Sequence, residues 1–587
     1  LGPRLVSSGF RVLEPYYDEA GSLESKIDDY CDLPGLVRQG LLPDFVTSHE
    51  YPCVPTVAFP NGEMKDCVGV LGVSAAAAED GSVFLLQHFS NIARTLRQVR
   101  HLVLVVALDK LVGSREEAEF QTRCMGLFGL ESMLLNLAPG QGARKVWDDV
   151  PDAVPGKRQT LHLILLDNGR SRILNGVFRD LLLCIGCRAC LRQCPIARSM
   201  NNGSGATWSP RDYLFAYLRG DRTSLDACLH CEACRIDCPL SIDLPGLMWV
   251  ADRTAGKRRR LPELMLGNAE TLARAGSLTA PVSNVVMGHG PGKLMKACLG
   301  LDAKRDLPRF HRLTFRDWSA GRKVRESAGA GERPLVYFVG CFANYYEPKV
   351  ARAVVRLLET TGCKILLARE KCCGLPMIAN KNRRGFLRNA EHNINVLAPF
   401  VEEGADIVTA CPSCALMLRR EYPELIGGSR SVLVSQHTQY VEHYLVNMRS
   451  HGKPVGLSRA EARPIFYHIP CHLKALDGFE AFLDSWRHMP GLSVGKMSAS
   501  CCGLGGYHGY KKAYSASSRE IGGRLFADVG ATDAELVVSS CAACRLQIAQ
   551  NTGVRVCHPI QLLEDIHRSP VVHGEVWPDQ AVAVGRG

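Results

Sequence analysis

Two stretches decide the fold: Leu335-Val-Tyr-Phe-Val-Gly-Cys341 and Ile465-Phe-Tyr-His-Ile-Pro-Cys471. Each is a short apolar run, of strand length, that ends in a cysteine. The cysteines beyond each run repeat as well. After Cys341 come Cys372-Cys373-Gly374 and Cys411-Pro-Ser-Cys414; after Cys471 come Cys501-Cys502-Gly503 and Cys541-Ala-Ala-Cys544. First to last cysteine spans 73 positions in both copies, and the copies lie about 130 residues apart. Ile407 to Ala410 runs into Cys411 as Leu536 to Ser540 runs into Cys541, with helices expected at Pro348–Thr361 and at 415–421. Cysteines placed where strands end and helices begin sit on the ligand-binding edge of an open α/β sheet. The reading is therefore a duplicated α/β domain over 331–455 and 456–587. Its two five-cysteine sets, Cys341, Cys372, Cys373, Cys411, Cys414 and Cys471, Cys501, Cys502, Cys541, Cys544, suit metal or cluster binding better than inert burial, because inert thiols have no reason to keep their spacing twice.

Upstream lies a denser motif, Cys184-Ile-Gly-Cys187-Arg-Ala-Cys190-Leu-Arg-Gln-Cys194-Pro195, and then Cys228-Leu-His-Cys231-Glu-Ala-Cys234-Arg-Ile-Asp-Cys238-Pro239. Each half is the run that wraps a [4Fe–4S] cube in bacterial-type two-cluster ferredoxins, whose fourth cysteine ligates the other cube. One cluster is assigned to Cys184, Cys187, Cys190 and Cys238, the other to Cys228, Cys231, Cys234 and Cys194. The proline after each fourth cysteine is expected to end the local helix. Zinc knuckles use paired cysteines without this third interval, and disulfides would suit a secreted chain. Of the 25 cysteines, eight lie here and ten in the repeat. The other seven, Cys31, Cys53, Cys67, Cys124, Cys298, Cys363 and Cys557, read as buried free thiols.

The chain of 587 residues is long enough for several domains, and 46% hydrophobic with 22% charged residues is ordinary for a globular protein. No apolar run approaches the about 18–20 residues of a membrane span, and no signal segment opens the chain. The net charge of +11 comes without a nucleic-acid motif. It is the expected shell for anionic clusters, and Lys257–Arg260 reads as a solvated linker. So many ligand thiols imply a reducing compartment, the cytoplasm.

Residues 1–175 alternate apparent strands, at 83–86, 102–108 and 161–166, with helices at 92–98 and 116–136, an open α/β pattern. Residues 176–250 are the ferredoxin module. Residues 251–330 read as a helical and linker segment, with helices at 261–274 and 293–301 and a linker from 319 to 334. The second of these helices is amphipathic and is expected to pack on its own domain or a partner rather than on a membrane surface.

The run Val68-Gly-Val-Leu-Gly-Val-Ser-Ala-Ala-Ala-Ala-Glu79-Asp80-Gly81, with Leu165-Leu166-Asp167-Asn168-Gly169-Arg170-Ser171 placed just before the first cluster motif, resembles the LUD domain of lactate-utilisation protein B. That family has Glu-Thr-Gly where this chain has Glu79-Asp80-Gly81. Glu79 and Arg170 are the candidate site residues here, with a structural ion pair as the plainer role for either. The stretches Phe338-Val-Gly-Cys341-Phe-Ala-Asn-Tyr-Tyr-Glu-Pro348, Lys371-Cys-Cys-Gly-Leu-Pro376, Cys411-Pro-Ser-Cys-Ala-Leu-Met417 and Tyr467-His-Ile-Pro-Cys-His-Leu-Lys474 resemble the CCG domains of heterodisulfide reductases and of the C subunit of anaerobic glycerol-3-phosphate dehydrogenase. That similarity runs over about 178–570.

The resemblance implies a multidomain α/β protein: a LUD-like domain, two cubanes, and one or two further iron–sulfur clusters, non-cubane in type, in the CCG domains. It implies electron relay from a flavoprotein dehydrogenase subunit, of lactate or glycerol-3-phosphate type, to quinone at the membrane or another acceptor. The alternative is a thiol–disulfide reductase with a CCG cluster as its active site. No flavin or nicotinamide fingerprint is present, so hydride chemistry is assigned to a partner. His472 and His558 stand beside motif cysteines or strand ends, as donors to a cluster sulfur or as satisfied surface histidines.

Overall fold

A computed structural model describes residues 67–85, 99–128, 160–200, 209–221, 228–254, 261–288, 290–322, 334–450, 464–487, 489 and 492–568. The helix expected at 92–98, the end of the one at 116–136, the basic run 257–260, and Cys31 and Cys53 lie outside these residues. The chain divides into two compact units, residues 1–225 with 234–251, and residues 226–233 with 252–587.

The strands of the first unit are β1 (Val68–Gly72), β2 (Ala75–Ala77), β3 (Val83–Phe84), β4 (His101–Ala107), β5 (Leu111–Val112) and β6 (Thr160–Leu166). β1, β4 and β6 form a parallel sheet in the order β1-β4-β6. In β4, Leu102, Leu104 and Val106 are buried, the alternation that a half-covered strand requires. β2 pairs antiparallel with β3 and parallel with β5. In the first cysteine motif the helix Ala189–Gln193 ends at Cys194, and Pro195 then opens the helix Pro195–Met200. The proline thus begins a helix as much as it ends one, because at a first helical position its missing N–H has no partner to lose.

In the second unit the duplication is explicit. β7 (Leu335–Tyr337), β8 (Ile365–Leu366), β9 (Asp406–Thr409) and β10 (Thr438–Tyr440) make one parallel sheet, in the order β10-β9-β7-β8. β11 (Pro464–His468), β12 (Ser493–Ser498), β13 (Leu536–Val538) and β14 (Arg555–Cys557) make another, in the order β12-β11-β13-β14. Numbered within each copy, both orders are 2-1-3-4. Both faces of the inner strands β7, β9 and β11 are covered, as parallel sheets require. Leu335, Tyr337, Ile465 and Tyr467 enter one core shared by the two copies. The alternate residues Val336 and Phe338 enter a core of the first copy, and Phe466 one of the second.

The described residues of the segment expected as helix and linker, 261–288 and 290–322, pack into this unit. The single helix expected at 261–274 is two, Leu261–Leu266 and Ala269–Leu278. They break at Gly267-Asn268, where the buried Asn382 amide donates to the Gly267 carbonyl at 2.9 Å. Further on, Arg305 is buried against Ser515, Ser518 and Gln547 of the second copy. The amphipathic helix is Gly290–Cys298, and the helix Phe315–Ala320, opened by a Thr314/Asp317 capping box, ends just inside the expected linker. Cys363 is buried as expected, whereas Cys298 at the end of its helix is exposed and Cys67, Cys124 and Cys557 are half-buried. Among the described residues no helix is long and apolar enough to cross a membrane.

Candidate metal centres

In the first copy, β7 runs into Cys341, β8 leads to Cys372 and Cys373, and β9 ends at Cys411, which caps the helix Pro412–Leu416. Three strand ends therefore deliver five thiols to one edge, at the point between strands 1 and 3 where the order reverses. Cys341 Sγ lies 3.4 Å from Cys372 Sγ, Cys373 is hydrogen-bonded to both Cys372 and Cys414, and Cys414 to Cys411. The second copy repeats this. Cys544 Sγ lies 3.2 Å from Cys502 Sγ, Cys541 adjoins Cys544, and Cys501, Cys541 and Cys502 all bear electrostatically on Cys471. The structure thus brings together both sets read from the sequence.

The glycine of each Cys-Cys-Gly allows the approach. Gly374 and Gly503 have φ of +93° and +78°, and a side chain would overlap the Phe386 ring at the first and the Ser518 carbonyl at the second.

The thiols within a site are not equivalent. Cys373 is held below the ordinary thiol range by hydrogen bonds from Cys372 and Cys414, and Cys411 by one from Cys414. Their partner Cys414 is pushed well above it, by its hydrogen bonds to Cys373 and Cys411 and by burial. Cys502 and Cys544 divide in the same way. Neighbouring groups hold the first site's backbone: Glu270 accepts from the Cys372 N–H at 3.0 Å, and the Tyr422 hydroxyl donates to the Cys373 carbonyl at 3.1 Å. Among the described residues no three side chains form a ready site for a single metal ion. Five soft sulfur donors, largely buried and gathered in a small volume, are a donor set that fits an iron–sulfur group.

His558 is buried; its Nε2–H donates to the Ala410 carbonyl at 3.0 Å and its Nδ1 accepts from the Ile560 N–H at 3.1 Å. It thus fixes, from the second copy, the backbone that leads into Cys411 of the first. His472 is engaged through both nitrogens too, with the His230 carbonyl at 2.9 Å and the Ser413 hydroxyl at 2.8 Å. The hydrogen bonds of both rings therefore go to a hydroxyl and to backbone groups, with His558 buried and His472 half-buried. Cys471, whose thiol burial pushes well above its ordinary value, feels Cys231 more strongly than any other charge.

Cys184, Cys187, Cys190 and Cys238 belong to the first unit; of the other set, Cys194 and Cys234 belong to the first and Cys228 and Cys231 to the second. Burial, and then the nearby Cys184, push the Cys190 thiol up to about 12. Lys110, at the end of β4, is buried and donates to the Cys184 carbonyl at 2.6 Å; burial, and then Arg211, bring it down to about 8. The neighbouring Asp109 takes both Arg170 and Arg211, the latter at 2.8 Å, and both guanidiniums lie over the Phe215 ring. Arg170 is thus part of an ion-pair cluster, and Glu79 accepts from the Arg115 N–H at 2.7 Å, at the start of the helix Arg115–Phe128. Lys110, Asp109, Arg211 and Glu270 escaped the sequence reading. Their partners in these contacts lie 61 or more residues away.

A model of the cysteine-rich CCG domain matches residues 335–419 and again 465–549, and one of a 4Fe–4S dicluster domain matches 180–242. Over 312 residues the chain is 30% identical to the C subunit of the anaerobic glycerol-3-phosphate dehydrogenase of Escherichia coli K12, covering 52% of this chain and 77% of that protein. It is 24% identical over 405 residues to the B subunit of the fumarate reductase (CoM/CoB) of Methanothermobacter marburgensis, covering 65% and 71%. With the lactate utilization protein A of Anoxybacillus flavithermus it shares 27% identity over 243 residues, 39% of this chain and 98% of that one.

Proposed function

Because the chain belongs to the family of the anaerobic glycerol-3-phosphate dehydrogenase C subunits, we propose that it is the electron-relay subunit of a dehydrogenase complex. Its donor on this reading is a flavoprotein subunit that oxidises glycerol 3-phosphate, lactate or a related 2-hydroxyacid, and its acceptor a quinone-reducing partner or another carrier. Iron–sulfur clusters, when bound, supply one-electron storage and transfer. Cys184, Cys187, Cys190 and Cys238 would hold one cubane, and Cys228, Cys231, Cys234 and Cys194 the other. The two five-cysteine sets would each hold a further cluster. The observation that carries the reading is the convergence of ten thiols in two equivalent sets, each on the ligand edge of its sheet.

A second reading, reduction of a disulfide substrate at one of these sets, is favoured by the completeness of both. Anaerobic co-purification of the native complex separates the two. A flavoprotein that reduces the chain's clusters on addition of glycerol 3-phosphate or lactate supports the relay. A chain that comes alone, or with a thiol–disulfide partner and no flavoprotein, supports the reductase.

A further inference from the structure

Three cysteine motifs far apart in sequence meet at one imidazole. His472 follows Cys471 directly. Its Nε2 lies 2.9 Å from the carbonyl of His230, which stands between Cys228 and Cys231. A carbonyl only accepts, so the proton is on Nε2, and Nδ1 accepts from the hydroxyl of Ser413, between Cys411 and Cys414, at 2.8 Å. Other contacts seat the same loop on the tandem domains. Glu232, 4% exposed, pairs with Arg420, beyond Cys414. Leu229 is buried over Gly505, just past Cys502, so closely that a Cβ there would come within 2.6 Å of it. The described stretch from Cys228 to Ala233 belongs to the compact unit of the tandem domains, and it brings Cys231 within electrostatic reach of Cys471.

We propose that His472 is a positioning residue that registers the Cys228–Cys231 loop on the second five-cysteine site, which makes that site, and not the first, the electron partner of the cluster this loop helps to hold. The inference rests on the relay reading above. One electron moves: the loop's side is oxidised by one, the second site is reduced by one, and no bond or proton changes place. The flavoprotein's reduced flavin supplies it in that reading, and dithionite in the test.

The test is paramagnetic resonance of the full chain, reconstituted with iron and sulfide and reduced with dithionite, alongside iron analysis. Beyond the coupling of the two cubanes to each other, the wild type is expected to show a further splitting from the second five-cysteine site, and this further splitting is what the variants read. Cys502→Ala should lose the splitting and Cys373→Ala should keep it. His472→Leu should keep its iron yet lose the splitting. His472→Gln, whose amide can donate to the His230 carbonyl and accept from Ser413, should restore it. If His472→Leu loses iron, His472→Gln and the two cysteine variants decide the matter. Splitting that persists in His472→Leu, or that vanishes with Cys373→Ala instead of Cys502→Ala, overturns the proposal. A second site that holds iron without splitting ends this inference alone; a second site that takes up no iron ends the cluster reading of that site as well.

Discussion

Glu442 is fully buried between two hydroxyls, those of Tyr440 and of Tyr467, the latter at 3.1 Å. Burial lifts its carboxyl from the ordinary 4.5 to about 8 against those hydrogen bonds. Unfolded, the group loses its proton near 4.5; folded, it keeps it to about 8. Between those values the folded state binds more protons, so the stability it contributes is full below about 4.5 and declines as pH rises, by at most about 1.4 kcal/mol per pH unit. Relative to wild type, Glu442→Gln should therefore gain stability steadily from about pH 5 to pH 8 in denaturant unfolding of the full chain. Parallel curves for the two proteins would mean that the carboxyl ionises in its usual range. At the cysteines the expectation is selective. Cys373→Ala and Cys502→Ala should each remove iron from one site and leave the cubane signals, as checked by iron analysis and resonance spectra. Loss of every signal together would instead show that the fold depends on the bound group.

At the scale of elements, each Cys-Cys-Gly turn is held open by its glycine, but the two neighbours differ. At Gly374 the obstacle is the Phe386 ring, which can shift; at Gly503 it is the backbone carbonyl of Ser518 in the helix Ser515–Gly530, which cannot shift without its helix. Both Ala variants carry left-handed strain of about 1–3 kcal/mol. Gly503→Ala should cost more than Gly374→Ala in thermal unfolding and should lower iron at the second site, and equal costs would refute the distinction between ring and backbone. The strand ends that place Cys341, Cys411, Cys471 and Cys541 were legible in the sequence, because each fully buried strand is an apolar run that stops at its ligand. The segment from 261 to 322 was not. Its helices are short and its burial comes from distant partners, such as Glu270 with the Cys372 amide and Arg305 with Ser515 and Gln547. Nothing local to Glu270 or Arg305 marks them as anchors, and the glycines and prolines around them read as breaks. His472 was legible as a residue beside a ligand but not in its role, since its partners His230 and Ser413 lie in two other motifs.

At the scale of the tandem pair, duplication left each copy with one sheet face to cover, and the copies cover each other. Leu335 and Tyr337 of one sheet and Ile465 and Tyr467 of the other line a single core. It is closed by the helix Pro348–Thr360 of the first copy against the helix Pro559–Arg568 of the second. Leu357 and Leu358 meet Ile560 and Leu563 in this core, while Arg356 pairs with Glu564 at 3.3 Å. Two further bonds cross between the copies next to ligand cysteines. His558 holds the Ala410 carbonyl ahead of Cys411, and Arg545, next to Cys544, pairs with Glu347. Each site is thus supported in part from the other copy. Leu357→Ala, at a position 1% exposed, should cost about 2–5 kcal/mol and lower iron at both five-cysteine sites together in one unfolding transition. Leu397→Ala offers the contrast, because Leu397 is equally buried but sits in the core of the first copy. It should weaken the first site before the second. If Leu357→Ala instead gave two transitions, with the second site intact through the first of them, the copies would be independent domains and the shared core merely a contact between them.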